Sequence, residues 1–344
     1  MISRRATLAG LGAVGLAACA TGRGVTQSSG GLTDLGIDAI SPELSKFVAT
    51  DAPIETLATG YQWSEGPTWD RARARLYFTD VPQNKAFLWR RDDTVSVFMD
   101  PSGGADTEGF REPGANGLWY AADGSLLICN HGHRAVERMD LETGEVTSLA
   151  NSFDGQKLNS PNDLVQARNG VIYFTDPPYG LEGLNDSPLK QQDANGVYRL
   201  DPDGSVTRLV SDMTFPNGIA LSPDQSVLYV SQSDPDAPLL RAFELSQSGD
   251  VISNKVLFDA SSYMHAYSPG LPDGMAVCDQ GGVFVTGPGG VFVLDPNGRV
   301  LGRVRTGGAT ANCAFGEDGR TLFITAGDRL LRVRTKVQGV QWSS

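Results

Sequence analysis

The sequence predicts an all-β fold, a six-bladed β-propeller whose four-stranded blades surround a central channel. Three observations predict it. The chain carries 41 glycines and 19 prolines in 344 residues and has no long apolar stretch at helical spacing, which favours short strands joined by tight turns. A strand-like unit recurs six times along it. A residue with a side-chain oxygen stands thirteen or fourteen residues ahead of the equivalent position in every unit.

The units are "ARLYFTD" at 74–80, "GSLLICN" at 124–130, "GVIYFTD" at 170–176, "SVLYVSQ" at 226–232, "GVFVTG" at 282–287 and "TLFITA" at 321–326. Each alternates β-branched or aromatic residues and is entered through a turn such as "ADGS", "SPDQS" or "GEDGR". With Thr79, Cys129, Thr175, Ser231, Thr286 and Thr325 equivalent, the intervals are 50, 46, 56, 55 and 39 residues, the length of a four-stranded blade. A solenoid of β-rich repeats is the alternative.

Ahead of this repeat, residues 1–18 read as an export signal. Arg4 and Arg5 precede an apolar run too short to span a bilayer, and "SRRATL" resembles a twin-arginine signal. "LAAC" resembles a lipoprotein cleavage box, which makes Cys19 the expected lipid anchor and the only membrane attachment. The protein is therefore expected to be exported, periplasmic and lipid-anchored. Residues 19–50, rich in Ser, Gly and Thr, read as a flexible tether, and 51–344 as the propeller. Cys129, Cys278 and Cys313 lie in strand-like runs and are expected to be buried free thiols. The formal charge of −12, with no basic stripe, excludes a nucleic-acid partner.

The six offset residues are Glu65, Asn116, Asn162, Asn217, Asp273 and Asn312, in "EGPTW", "NGLWY", "NDLV", "NGIA", "DGMAV" and "NCAF". In a propeller the innermost strands line the channel, so equivalent positions converge on the axis at one depth. Asn and Asp capping their own turns would account for any single asparagine, but glutamate is not a turn-capping type. Two carboxylates with neutral amide oxygens make a hard, oxygen-only site suited to a divalent cation. Calcium fits best, with magnesium, manganese or zinc as alternatives.

Strands after the ring position run away from this face and return to it. The second unit then delivers His131 in "CNHGHRAVER", and the third delivers Tyr179 in "TDPPYG". Both are candidate substrate contacts, and His131 is a candidate for proton transfer. The insertion 181–195 is expected to shape the pocket mouth.

"SEGPTW", "SPNDL", "VIYFTDPPYG", "FPNGIALSPD" and "PDGMAV" resemble the signature segments of the gluconolactonase/regucalcin family of six-bladed propellers, and "DGSLLICNHGHRAVER" is most similar to its bacterial gluconolactonase branch. The resemblance implies a divalent cation in the channel held by Glu65, Asn217 and Asp273, with Asn162 a fourth ligand or a substrate contact. It also implies Asp273 as proton acceptor and Asn116 as a substrate contact. The arginine that regucalcin-like members place before the Asn162 segment is replaced by Ser160-Pro161.

The expected activity is metal-dependent hydrolysis of sugar lactones to hydroxy acids, with Asp273 or His131 activating water. No "GxSxG" elbow is present for serine-hydrolase chemistry. The competing readings are a metal-stabilised scaffold lipoprotein of the envelope and an aryl-ester or organophosphate hydrolase at the same site.

Overall fold

Six sheets ring a common axis in the computed structural model, which describes residues 34–342. The export signal, Cys19 and the first part of the expected tether lie outside the described residues. The protein is a six-bladed β-propeller. Innermost strands are Ser64–Asp70, Ala115–Tyr120, Leu164–Gln166, Pro216–Leu221, Met275–Val277 and Asn312–Gly316, in blades 1 to 6. From each, the chain meanders outward through antiparallel neighbours.

Blade 6 is completed from the other end of the chain. Ile54–Thr59 pairs antiparallel with Arg329–Arg334 and becomes its outermost strand. Aromatic packing reinforces this junction, because Trp69 of blade 1 stacks on Phe323 of blade 6 at 5.6 Å between ring centroids. Such a pair contributes about 0.5–1.5 kcal/mol beyond simple burial.

The tether is shorter than the sequence suggested. Gly36–Ala39 is a fifth strand on blade 5, paired with its outer strand Val300–Arg305. The short helix Pro42–Lys46 follows, N-capped by Ser41. Leu44, Phe47 and Val48 are buried in the core cluster shared by blades 5 and 6. Three apolar side chains thus anchor a segment whose Ser and Gly content suggests a linker. Cys129, Cys278 and Cys313 are buried free thiols.

The recurring hydroxyl joins neighbouring blades. Thr79 Oγ1 donates to the Asn116 carbonyl at 3.1 Å, Thr175 Oγ1 to Asn217 at 2.6 Å, and Ser231 Oγ to Asp273 at 2.7 Å. Blades 1, 3 and 4 thus each hold the backbone of the next blade's ring residue. The glycine after the ring residue allows the approach. A Cβ on Gly117 would lie 2.7 Å from the Asn162 carbonyl oxygen, and one on Gly274 would lie 1.9 Å from Asn312 Cγ.

Overpacking of this kind costs typically about 1–3 kcal/mol. Gly117→Ala is expected to destabilise the fold by at least that amount in urea titrations, because its nearest obstacles include the backbone of blade 3. An unchanged unfolding midpoint would contradict the close-approach account.

Candidate active site

Each ring residue stands at or just before the start of an inner strand, and in blades 1, 3 and 4 a polar side chain at the end of the adjacent strand fixes the chain as it enters. Asp80 accepts from the Gln62 and Trp63 N–H groups at 2.8 and 3.2 Å. Asp176 accepts from Asn159 N–H at 2.7 Å, and Gln232 Oε1 from Thr214 N–H at 3.0 Å. The terminal polar residues of "FTD" and its equivalents therefore serve the entry loops.

Glu65, Asn116, Asn162, Asn217, Asp273 and Tyr179 all line one cavity of about 610 Å³ at the start of the inner strands. Trp63, Pro235, Met264 and Leu271 give it an apolar side. A second cavity, of about 350 Å³, includes Trp69, Trp119, Ile219, Met275 and Phe315 in its lining. Asp163 and Asn312 line that one.

The sixth ring residue differs from the others. Asn312 Oδ1 accepts the Cys313 N–H at 2.8 Å, and its Nδ2 donates to Glu65 at 3.2 Å and Asp163 at 3.4 Å. It is a clamp between carboxylates. Glu65 Oε2 also accepts the Gly66 N–H at 2.6 Å. Asn217 Nδ2 donates to Ser233 Oγ at 2.8 Å, and Ser233 in turn donates to the Pro272 carbonyl at 2.6 Å. Tyr179 donates to the Ser233 carbonyl at 3.3 Å and stacks on Phe215.

In the cavity wall, two buried oxygens have no partner among the described residues, Asn116 Oδ1 and Asp273 Oδ1. Burial raises the carboxyl of Glu65, and the Asp163 charge adds to the effect. Burial also raises Asp273 well above the carboxylate range, followed by the charges of Glu65 and Asp163. Asp163 is pushed up to about 7 by burial. Raised acids and partnerless oxygens in one cavity suit a hard divalent cation. Glu65, Asn162, Asn217 and Asp273, which share that wall, offer the oxygen donors such an ion would need.

His131 is not in the cavity wall. It is fully buried behind Asn116, whose Nδ2 lies 3.3 Å from its Nε2, and its Nδ1 faces the Glu112 carbonyl at 3.1 Å. Burial lowers its pKa to about 4. His133 instead pairs with Glu137 at 2.7 Å.

The mouth is also built differently from expectation. Residues 181–195 do not line the cavity, because Gln192 ties them back to the Phe153 and Gln156 carbonyls. The loop between blades 4 and 5 lines it instead, with Met264, His265, Ser268 and Leu271. Arg111 and Glu112, joined at 2.6 Å, enter from the loop between blades 1 and 2. None of these sits at a repeating position, so periodicity gave no signal for them.

Residues 63–328 match the model of the SMP-30/gluconolactonase/LRE-like region. The chain belongs to this family. It is 39% identical over 88% of its length to a gluconolactonase of Zymomonas mobilis, covering 87% of that protein. Among solved structures, a gluconolactonase of Xanthomonas campestris is 33% identical with a TM-score of 0.75, over 87% of this chain and 94% of that one. A calcium-binding regucalcin of Agrobacterium tumefaciens shares the fold at 19% identity, TM-score 0.67, over 84% of this chain and 95% of that one.

The raised carboxyls set a pH dependence. A group whose folded pKa lies above its unfolded value binds more protons when folded, so stability falls as pH rises between the two. Chelator-treated protein is therefore expected to lose thermal stability from about pH 4 to about pH 8, the window from the ordinary carboxyl values to the raised Glu65 and Asp163 values. Calcium should restore more at pH 8 than at pH 5. Glu65→Gln should flatten the chelated profile in a melting series.

Proposed function

We propose that this protein is a divalent-cation-dependent lactonase that opens hydroxylated sugar lactones to hydroxy acids. The observation that carries the reading is the pair of orphaned oxygens, Asn116 Oδ1 and Asp273 Oδ1, beside the repelling Glu65 and Asp273 carboxyls in one cavity. Kinship with the Zymomonas gluconolactonase supports it.

Glu65, Asn162, Asn217 and Asp273 hold the cation, calcium being the best match to an oxygen-only set. When bound, such an ion polarises a carbonyl oxygen and stabilises developing oxyanion charge. Asp273 accepts the proton of the water as its oxygen bonds to the carbonyl carbon, and returns it to the ring oxygen when the tetrahedral adduct collapses and the ring C–O bond breaks. Asn116 Oδ1 accepts from a substrate hydroxyl, and Asn162 lines the same cavity as the second candidate for that role. Tyr179, Trp63, Met264 and Leu271 border the reacting space with apolar surface.

His131 is a poor choice of base. Its Nδ1 faces a backbone carbonyl, and Asn116 stands between it and the cavity. Asp273 therefore takes that role in this reading.

Export and lipid attachment at Cys19 complete the proposal and place the enzyme in the periplasm. Cys19→Ser should move the protein from the membrane to the soluble fraction on fractionation; retention in the membrane would remove the anchor.

Asp273→Asn should lower kcat/KM for gluconolactone by about 10²–10⁴-fold, the usual range for a lost acid–base group. The assay compares a sugar lactone, an aryl ester and a phosphotriester, each with calcium and with chelator. Hydrolysis of the lactone that persists in chelator, or activity confined to the other two substrates, would overturn the reading.

A further inference from the structure

We propose that His131 is a positioning residue: it fixes the orientation of the Asn116 amide so that Oδ1 faces the cavity and reads a hydroxyl group on the lactone ring. The argument begins at the far side of the imidazole. The Glu112 backbone carbonyl, 3.1 Å from Nδ1, has no proton to give, so Nδ1 carries the hydrogen. Nε2 is then a bare lone pair. Asn116 Nδ2 lies 3.3 Å from it and donates. The opposite amide orientation would set Oδ1 against that lone pair, two acceptors with no proton between them. Asn116 Oδ1 is thereby turned away from His131, and it is buried without a protein partner.

The imidazole has little room to move. His131 is fully buried, its N–H donates to the Gly114 carbonyl at 3.3 Å, and a Cβ on Gly180 would come within 2.8 Å of its Cγ. Gly180 is held by Ser160, whose Oγ accepts the Gly180 N–H at 2.9 Å and donates to the Pro177 carbonyl at 2.6 Å. Gly180 in turn accepts at its carbonyl from Arg111 N–H at 2.9 Å, next to Glu112. Ser160 thus supports the loop that clamps the ring. An acceptor held in this way favours ligands that bring an O–H donor, hence polyhydroxylated lactones over unsubstituted ones.

The kinetic test rests on the lactonase reading and compares gluconolactone with unsubstituted δ-valerolactone. In His131→Leu the KM for gluconolactone should rise about tenfold, the scale of a buried hydrogen bond left unmade. Its kcat should change less, and δ-valerolactone should be little affected. His131→Gln, which offers an acceptor at the reach of Nε2, should recover most of the loss. In an Asn116→Ala background the effect of His131→Leu should vanish. Equal losses on both lactones, no recovery by His131→Gln, or full additivity with Asn116→Ala would overturn the proposal. A wild-type protein that opens neither lactone defeats the lactonase reading alone. The positioning role is then decided by ¹⁵N NMR of histidine-labelled wild type, where an Nδ1–H tautomer of His131 upholds it and an Nε2–H tautomer overturns it.

Discussion

The structure depends on how tightly neighbouring blades approach at the hub. Side-chain hydroxyls of Thr79, Thr175 and Ser231 each donate to the backbone carbonyl of the following blade's ring residue. Glycine beside the ring position removes the one carbon that would keep the strands apart. A buried carbonyl left without a donor is costly, so these bonds fix the ring residues at one depth. With the backbone held, the side chains have one open direction, toward the axis.

That convergence has an electrostatic consequence. Burial raises the carboxyls of Glu65, Asp163 and Asp273, and the neighbouring negative charges add to the rise of Glu65 and Asp273. The Asn312 amide relieves part of it by donating to both Glu65 and Asp163. Asp273 has no comparable relief, and its Oδ1 remains orphaned. Buried acids and partnerless oxygens gathered in one cavity are the pattern of a functional centre on a stable scaffold.

Most of the fold was legible because a propeller repeats. An offset of thirteen or fourteen residues from the repeat located Glu65, Asn116, Asn162, Asn217 and Asp273, and all of them line one cavity. The same repeat could not foretell that Asn312 would spend its oxygen on Cys313, since that depends on local backbone geometry. His131 was drawn toward the site by its loop, but side-chain depth follows from Gly180 and Glu112, which are remote in sequence. The mouth was misread for a related reason. Length alone pointed to 181–195, whereas packing selected the loop that carries Met264 and His265. Composition likewise concealed Leu44, Phe47 and Val48 among serines and glycines.

The pairing of Ile54–Thr59 with Arg329–Arg334 makes the ring a loop sewn shut between its earliest and its latest strands. No nascent chain can circularise before the last strand has been made. Blades 1 and 5, which supply Glu65 and Asp273, become neighbours of a common sixth wedge only at that moment. The cavity that both carboxyls line is therefore complete only in the finished circle.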